Sequence, residues 1–558
     1  MSIGLHRFGR HRCYLLAGCI AFGVPTITLA QTAPDAGALR QQIERENRPS
    51  LPKRGVTLKP AETTALSLPD GARVRVREFR FAGNTLIPGE TLHAAVRGYL
   101  GRDLGFTELQ QAAAAVAQAY RDAGWIVRTY LPKQEVTDGV ITIQIVEAVY
   151  GGTVHEGEPP KRVRLSQVMG AFEARQKTGA PINVDALDRA LLLADDLPGV
   201  AVVGALREGK ESGETELVLK LTDEPLLIGE ASLDNQGARS TGEVRAGLAM
   251  QLNSPLRLGD LLSFNAIGSR GYDYYRAAYT LPVGHDGWRV GVNTSWLNYH
   301  LVGNDFAALQ AKGNSTSVGV DATYPLIRSR LSNLYLNLGY ERKNFRNEAM
   351  QTVQSDYRVD DWTVNLSGNL FDTLGGGGAN AMSLGWTYGR VDHGTLDAGE
   401  NPALAGHFDV LRYSLSRQQT LSTELSLFAQ LTGQHAGKEL DSSERFALGG
   451  PTGVRAYPGR EGSGRSGQLA NVELRWRLPH NVTLTGFYDW GRVAASNTPR
   501  YSLKGYGASV AWQTPMGLAL KLTWARRDGE NPNPAPNGRD QDGSLDRNRL
   551  WASVTLPF

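Results

Sequence analysis

Asn333-Leu334-Tyr335-Leu336-Asn337-Leu338-Gly339-Tyr340-Glu341 alternates without a break. On an extended chain Leu334, Leu336, Leu338 and Tyr340 share one face, and Asn333, Tyr335, Asn337, Gly339 and Glu341 share the other. The pattern returns in Leu518, Leu520, Leu522 and Trp524 against Ala519, Lys521 and Thr523. It returns again in Leu474, Trp476 and Leu478 against Glu473, Arg475 and Arg477. From residue 226 to residue 558 strand-length segments of this kind follow one another, about sixteen in number, with no helical period between them. One face suits lipid and the other suits water. That inversion predicts a closed membrane barrel of antiparallel strands, because lipid cannot satisfy an open strand edge and bacterial barrels use an even strand number. A soluble sandwich also alternates; the length of the run and the aromatic residues near segment ends weigh against it.

Composition agrees. The chain has 64 glycines, 20 tyrosines and 10 tryptophans in 558 residues. Its mean hydropathy is −0.30, and beyond the N-terminus no apolar run approaches the length a helical span needs. Leu550, Ala552, Val554, Leu556 and Phe558 place five apolar side chains on one face of a final strand. An aromatic C-terminus on such a strand resembles the signal that hands barrel proteins to the outer-membrane assembly machinery. That machinery and the lipid of the outer membrane are therefore expected partners.

Residues 1–30 fix the compartment. Arg7, Arg10 and Arg12 form a basic start, an apolar run extends from Tyr14 to Leu29, and Thr28 and Ala30 are small residues before Gln31. This reads as a cleavable secretory signal. Leu16-Ala17-Gly18-Cys19 spells a lipoprotein box, but it follows Arg12 too closely to leave an apolar core before it, so lipidation is the weaker reading. Cys13 and Cys19 leave with the signal, which removes thiolate chemistry and disulfides from the mature chain. Loss of the three arginines leaves 56 charges of each sign. A neutral chain without a basic block gives no reason to expect nucleic acid.

Residues 31–48 are rich in helix formers, with Leu39 and Ile43 four apart beside Arg40 and Glu44, and predict a helix with a narrow apolar stripe. Residues 49–72 hold Pro52, Pro60 and Pro69 and read as an extended linker. A module of order β-α-α-β-β then occupies 73–148. It has a strand carrying Val74, Val76, Phe79 and Phe81, a helix opened by Pro88, a second from Thr107 to Ala123, and strands Trp125–Pro132 and Gly139–Ala148. A weaker copy fills 149–225, and two tandem modules of one type is the economical reading. Arg73, Arg75 and Arg77 alternate with Val74 and Val76, giving a basic strand face of the kind that discourages edge pairing.

The longest Gly-rich interruption of the barrel spans 449–466 and includes Gly449, Gly450, Val454, Arg455, Ala456 and Tyr457. Its glycines suit positive-φ turns that fold a long loop back on itself. Two strands later Val482, Leu484, Tyr488 and Trp490 form a lipid-side set. Asp489 therefore shares the lumen side with Thr483, Thr485 and Gly491.

Val454-Arg455-Ala456-Tyr457 resembles the VRGY/F motif, and Phe487, Asp489 and Gly491 the F-x-D-x-G motif, of the BamA-related superfamily. The two modules resemble POTRA domains. With a sixteen-stranded barrel and an N-terminal plug helix they resemble the TpsB transporters of two-partner secretion, the FhaC, ShlB and HecB group. Gly124-Trp125-Ile126-Val127-Arg128-Thr129-Tyr130-Leu131-Pro132-Lys133-Gln134 and Ser232-Leu233-Asp234-Asn235-Gln236-Gly237 also look like that family's. The resemblance implies that the loop enters the barrel and that Arg455 pairs with Asp489. Ala456 departs from the family's glycine, which is expected to restrict the turn there.

The mechanism implied is conduction. The POTRA modules would capture an unfolded, secreted TpsA-like partner, of haemolysin or adhesin type, through a sheet edge or a groove beside a helix. The partner would then thread a monomeric barrel, and the haemolysin-type members imply activation in passage as a second outcome. No cofactor, metal site or catalytic residue is expected: the ten histidines are scattered, and no HExxH, GxSxG or GxxxxGK[ST] occurs. Gly375 to Gly378 reads as a turn. A passive porin would leave the periplasmic arm without a purpose, and a BamA-like assembly factor, which shares the loop and strand motifs, usually carries more POTRA modules and no plug helix.

Overall fold

The computed structural model describes residues 34–46, 73–136, 138–211, 213–303, 309–393, 402–494, 499–535 and 537–558. The expected signal, the linker 49–72, and residues 31–33 and 47–48 of the expected plug lie outside the described residues.

Sixteen strands form one closed antiparallel barrel in chain order, so the strand number and architecture expected from alternation are met. The last strand, Asn548–Pro557, pairs with the first, Leu227–Asp234, through the register Ser553 opposite Asp234 to Pro557 opposite Glu230. Closure leaves no row of unsatisfied backbone groups facing lipid. Trp362, Val364, Leu384, Trp386, Leu474, Trp476, Leu522 and Trp524 project outward and are exposed. A belt of that size is tolerable only where the solvent is hydrocarbon.

The wall is uneven in height. Strands Lys312–Arg328, Ser332–Ala349 and Thr352–Asp372 run 17, 18 and 21 residues, whereas Leu227–Asp234 and Ala519–Arg527 run 8 and 9. On the outer face of the tall side Leu338, Tyr340 and Trp362 give way to the ion pairs Arg342–Asp360, Arg346–Asp356 and Arg358–Asp392. The change marks the end of the lipid band, since charges on the lipid face are costly within it.

In the first module, helices Gly89–Val96 and Phe106–Asp122 pack on a sheet ordered Glu78–Ala82, Val140–Glu147, Val127–Tyr130. Phe79, Leu92, Val96, Val116, Tyr120, Ile141 and Ile143 form its core. The single strand expected over 74–81 is in fact two. Val74–Arg75 pairs with Asp103–Leu104, and Glu78–Ala82 runs parallel to Val140–Gln144. The chain changes sheets at Val76 and Arg77, whose amides donate to Arg102 O and Gly139 O. Arg73, Arg75 and Arg77 therefore line no continuous strand face.

The second module has helices Leu165–Glu173 and Val184–Asp195 over strands Val149–His155, Glu214–Asp223 and Val200–Glu208. Asn183 caps the second helix by accepting from Ala186 N at 2.9 Å. This module sits on the barrel's near turns. Arg328 forks onto Asp196 at 2.8 and 2.7 Å, Arg330 meets Asp188 at 2.5 Å, and Arg175 pairs with Asp286.

Helix α1, Ala36–Glu46, lies inside the barrel. Asp35 caps it, accepting from Ala38 N at 2.8 Å. Leu39 and Ile43 pack against Tyr272, Tyr274, Leu297, Tyr299, Phe345 and Tyr357 of the wall. The expectation that the inner face of the strands suits water needs correcting here. Part of the inner wall is aromatic, and the apolar stripe of α1 is the surface it takes.

Candidate functional site

The loop between strands Leu425–Ala436 and Ser466–Leu478 descends into the lumen beside α1. Glu444 anchors its descending arm, reaching Lys343 at 2.8 Å and Arg412 at 2.7 Å on the wall. Its glycines act in two ways. Gly450 has φ +104 and needs the left-handed region. Gly449 does not: a Cβ there would meet Pro458 O at 2.0 Å, so close approach of the two arms excludes a side chain.

Arg455 sits at the tip and is held from three directions. Its Nε and Nη2 donate to Asp489 Oδ2 and Oδ1 at 2.9 and 2.7 Å, and its backbone N–H adds a third bond to Oδ2 at 3.0 Å. Its Nη1 donates to Glu473 Oε1 at 2.7 Å. The guanidinium lies over the Phe487 ring, 3.5 Å from its centroid, the stacked geometry that arginine favours. Asn471 Nδ2 supplies Asp489 Oδ1 with a further bond at 2.8 Å. Asp489 is 0 % exposed. Desolvation of such a carboxylate is costly unless its lone pairs are filled, and four donors fill them.

The remaining motif residues make room for this seat. Val454, Ala456 and Tyr457 are buried with Leu448, Leu469 and Leu503 in one apolar cluster. Gly491 leaves space for the loop, because a Cβ there would meet Leu448 Cδ2 at 2.5 Å. Ala456 is not strained as its departure from the family's glycine suggested. Its φ is not positive, and its methyl faces Gly505, where a Cβ would come within 2.7 Å of it.

Helix α1 completes the filling of the lumen. Arg40, 1 % exposed, donates to Ser317 Oγ at 2.9 Å and to Glu44 Oε1 at 2.9 Å, and pairs with Glu341 of the wall. Tyr274 donates to Glu44 at 3.3 Å. The last turn reaches the loop: Arg45 donates to the carbonyls of Ala447, Gly449 and Gly459 at 2.7, 3.2 and 3.4 Å.

Sequence reasoning singled out Arg455 and Asp489 but missed Glu473, Asn471 and Trp551, whose Nε1 donates to Arg455 O at 2.8 Å. The first two carried a usable signal. Asn471 stands opposite Asp489 in the register and Glu473 opposite Phe487, so the parity that turns Asp489 inward turns them inward as well.

Residues 213–513 match the family model of the haemolysin secretion/activation protein ShlB/FhaC/HecB, and residues 74–148 match a POTRA domain of ShlB type. The chain is 26 % identical to the heme/hemopexin transporter protein HuxB of Haemophilus influenzae strain 86-028NP, over 98 % of this chain and all of that protein. It is 23 % identical to the hemolysin transporter protein HpmB of Proteus mirabilis, covering 87 % of this chain and 85 % of that one. Among solved structures, CdiB from Escherichia coli superposes with a TM-score of 0.71 at 20 % identity, over 93 % of this chain and 95 % of that one. BamA from Haemophilus ducreyi lacking POTRA domains 1–3 superposes with a TM-score of 0.50 at 16 % identity, covering 87 % of this chain and all of that one.

Proposed function

This chain belongs to the haemolysin secretion/activation family ShlB/FhaC/HecB, and from that premise we propose that its lumen is a gated conduit in which α1 and the loop are the movable parts. The protein is an outer-membrane transporter of two-partner secretion, with its POTRA modules in the periplasm. It recognises a large unfolded partner through those modules and exports it through the barrel. The family is one of transporters, not of enzymes. The relatives named for hemopexin and hemolysin transport support a large secreted protein as the cargo; a haem-related or haemolysin-type protein is the proposed partner, carried by a monomer.

One observation carries the gate reading. The two elements that fill the lumen are bound to the wall and to each other by a network of side-chain hydrogen bonds and ion pairs, beside two separate apolar contacts, one under Leu39 and Ile43 and one around Val454, Ala456 and Tyr457. The polar bonds have substitutes in water, so release of either element gives up mainly its own apolar contact rather than one continuous core. In this reading Arg455 and Asp489 set the seat of the loop, Gly449 and Gly450 its fold, and Leu39, Arg40, Ile43 and Glu44 the seat of the plug. Residues 73–148 and 149–225 act as the capture arm. The test is co-expression with a large secreted protein of the TpsA-like class. Partner found in the medium only when the intact chain is present supports the reading, and partner exported equally without it overturns it.

A further inference from the structure

The Arg455–Asp489 pair holds one side of the loop tip, and the other side is gripped by residues that neither motif contains. Arg527 ends the short strand Ala519–Arg527 and points into the lumen, 8 % exposed. Its Nε donates to Ala456 O at 3.3 Å, and its guanidinium lies 4.5 Å from the centroid of the Tyr457 ring. Both contacts are to the two residues that follow Arg455. Its Nη2 pairs with Asp540 of the last far-rim loop, 528–547. Asp540 is itself 1 % exposed and fixed by Asn531 Nδ2 at 3.0 Å and Ser544 Oγ at 3.1 Å, with Arg549 at 3.5 Å. The same loop takes hold of the ascending arm: Asn531 Nδ2 donates to Glu461 Oε1 at 2.6 Å and Gln541 N to Oε2 at 2.9 Å.

We propose that Arg527 is a second positioning residue for the loop tip, and that Asp540 of the last extracellular loop sets the tip's hold by orienting Arg527. A guanidinium aimed at once at a backbone carbonyl, an aromatic face and a carboxylate has few rotamers that satisfy all three. With Asp540 gone, Arg527 keeps its charge but loses the partner that fixes its plane. In the intact protein the tip is thus seated by a wall residue on one side and by an arginine whose direction is set from the cell surface on the other. An event at the outer face that displaces the last loop would loosen the seat from outside. The inference rests on the reading that the loop is docked at rest and leaves its seat for the cargo.

The experiment uses the full-length protein in the outer membrane and follows cleavage after Arg455 by externally added trypsin, with fragments identified by mass spectrometry. Heat-modifiable migration reports an intact barrel. Arg527→Gln and Asp540→Asn should each raise cleavage after Arg455, by about tenfold for the loss of a charge-assisted bond. The double variant should be no worse than Arg527→Gln alone if the tip feels Asp540 through Arg527. Arg527→Lys, which keeps the charge but loses the fork, should lie between Arg527→Gln and the native protein. Asp489→Asn is the reference. If it raises cleavage while Arg527→Gln does not, or if the Asp540→Asn effect persists in full on Arg527→Gln, the second positioning role is overturned and the docked loop stands. If neither Asp489→Asn nor Arg527→Gln raises cleavage, the docked-loop reading itself fails.

Discussion

Arg45, in the last turn of α1, donates through Nη1 to the carbonyl oxygen of Ala447 at 2.7 Å, so the helix and the loop are fastened to each other as well as to the wall. The position also favours a cation, because the carbonyl end of a helix is its negative pole.

Arg45→Ala removes the bonds to three loop carbonyls. A charge-assisted hydrogen bond contributes about 1.5–3 kcal/mol, which corresponds to roughly a tenfold or greater change in the occupancy of the seated helix. Planar-bilayer recordings should show more frequent open events than in the native protein, and deletion of residues 33–48 should raise conductance further. Unchanged conductance in the deletion would reject the plug role for this segment.

Arg455→Ala and Asp489→Ala should each impair secretion strongly while the barrel still inserts. Each leaves a buried charge without its main partner, a situation that costs about 3–5 kcal/mol in buried pairs. The double variant should be no worse than the worse single one. Strictly additive secretion defects would show that the two residues do not act as a unit.

Removal of residues 73–148 should abolish secretion and leave a heat-modifiable barrel. Barrel closure involves the strands from Leu227 onward, and the second module keeps its own contacts to the near turns through Arg328 and Asp196. Continued export by the truncated protein would take the capture role away from the first module.

A pH effect is expected in the first module. Burial works to raise the pKa of Glu147, but bonds from the Thr85 hydroxyl, the amides of Thr85 and Leu86, and Tyr120 OH outweigh it and hold the pKa below the ordinary value. A carboxylate depressed on folding contributes stability above its unfolded pKa and loses it as pH falls through the folded one. The module's melting temperature should therefore drop on acidification below about pH 4.5, and Glu147→Gln should flatten that dependence. An equally steep profile in the variant would assign the acid sensitivity to other groups.

Strand parity made the barrel legible, because a period of two needs no knowledge of partners. Parity also assigns Asp489 an inward side, and the structure has its carboxylate there, facing Arg455. What the sequence could not supply depended on contacts across long separations. The break between Val76 and Arg77 is imposed by Arg102 O and Gly139 O, residues that local periodicity does not see. The seat of α1 is built by wall residues such as Tyr272 and Phe345, far from Leu39 in the chain. Nothing local sets Arg527 apart from other charges at strand ends; only the fold brings it over Tyr457.

The uneven wall has a consequence for the protein as a surface antigen. At about 3.4 Å per residue and a tilt near 40°, strands of 18 and 21 residues climb roughly 45–55 Å, about twice the apolar band of roughly 25 Å. Their upper halves therefore stand clear of the membrane as hydrogen-bonded sheet. Arg342–Asp360, Arg346–Asp356 and Arg358–Asp392 lie on the outward side of that projection. An antibody or phage approaching the cell would meet a rigid, charge-studded palisade on this flank, whose epitopes are set by strand register and vanish when the barrel is unfolded.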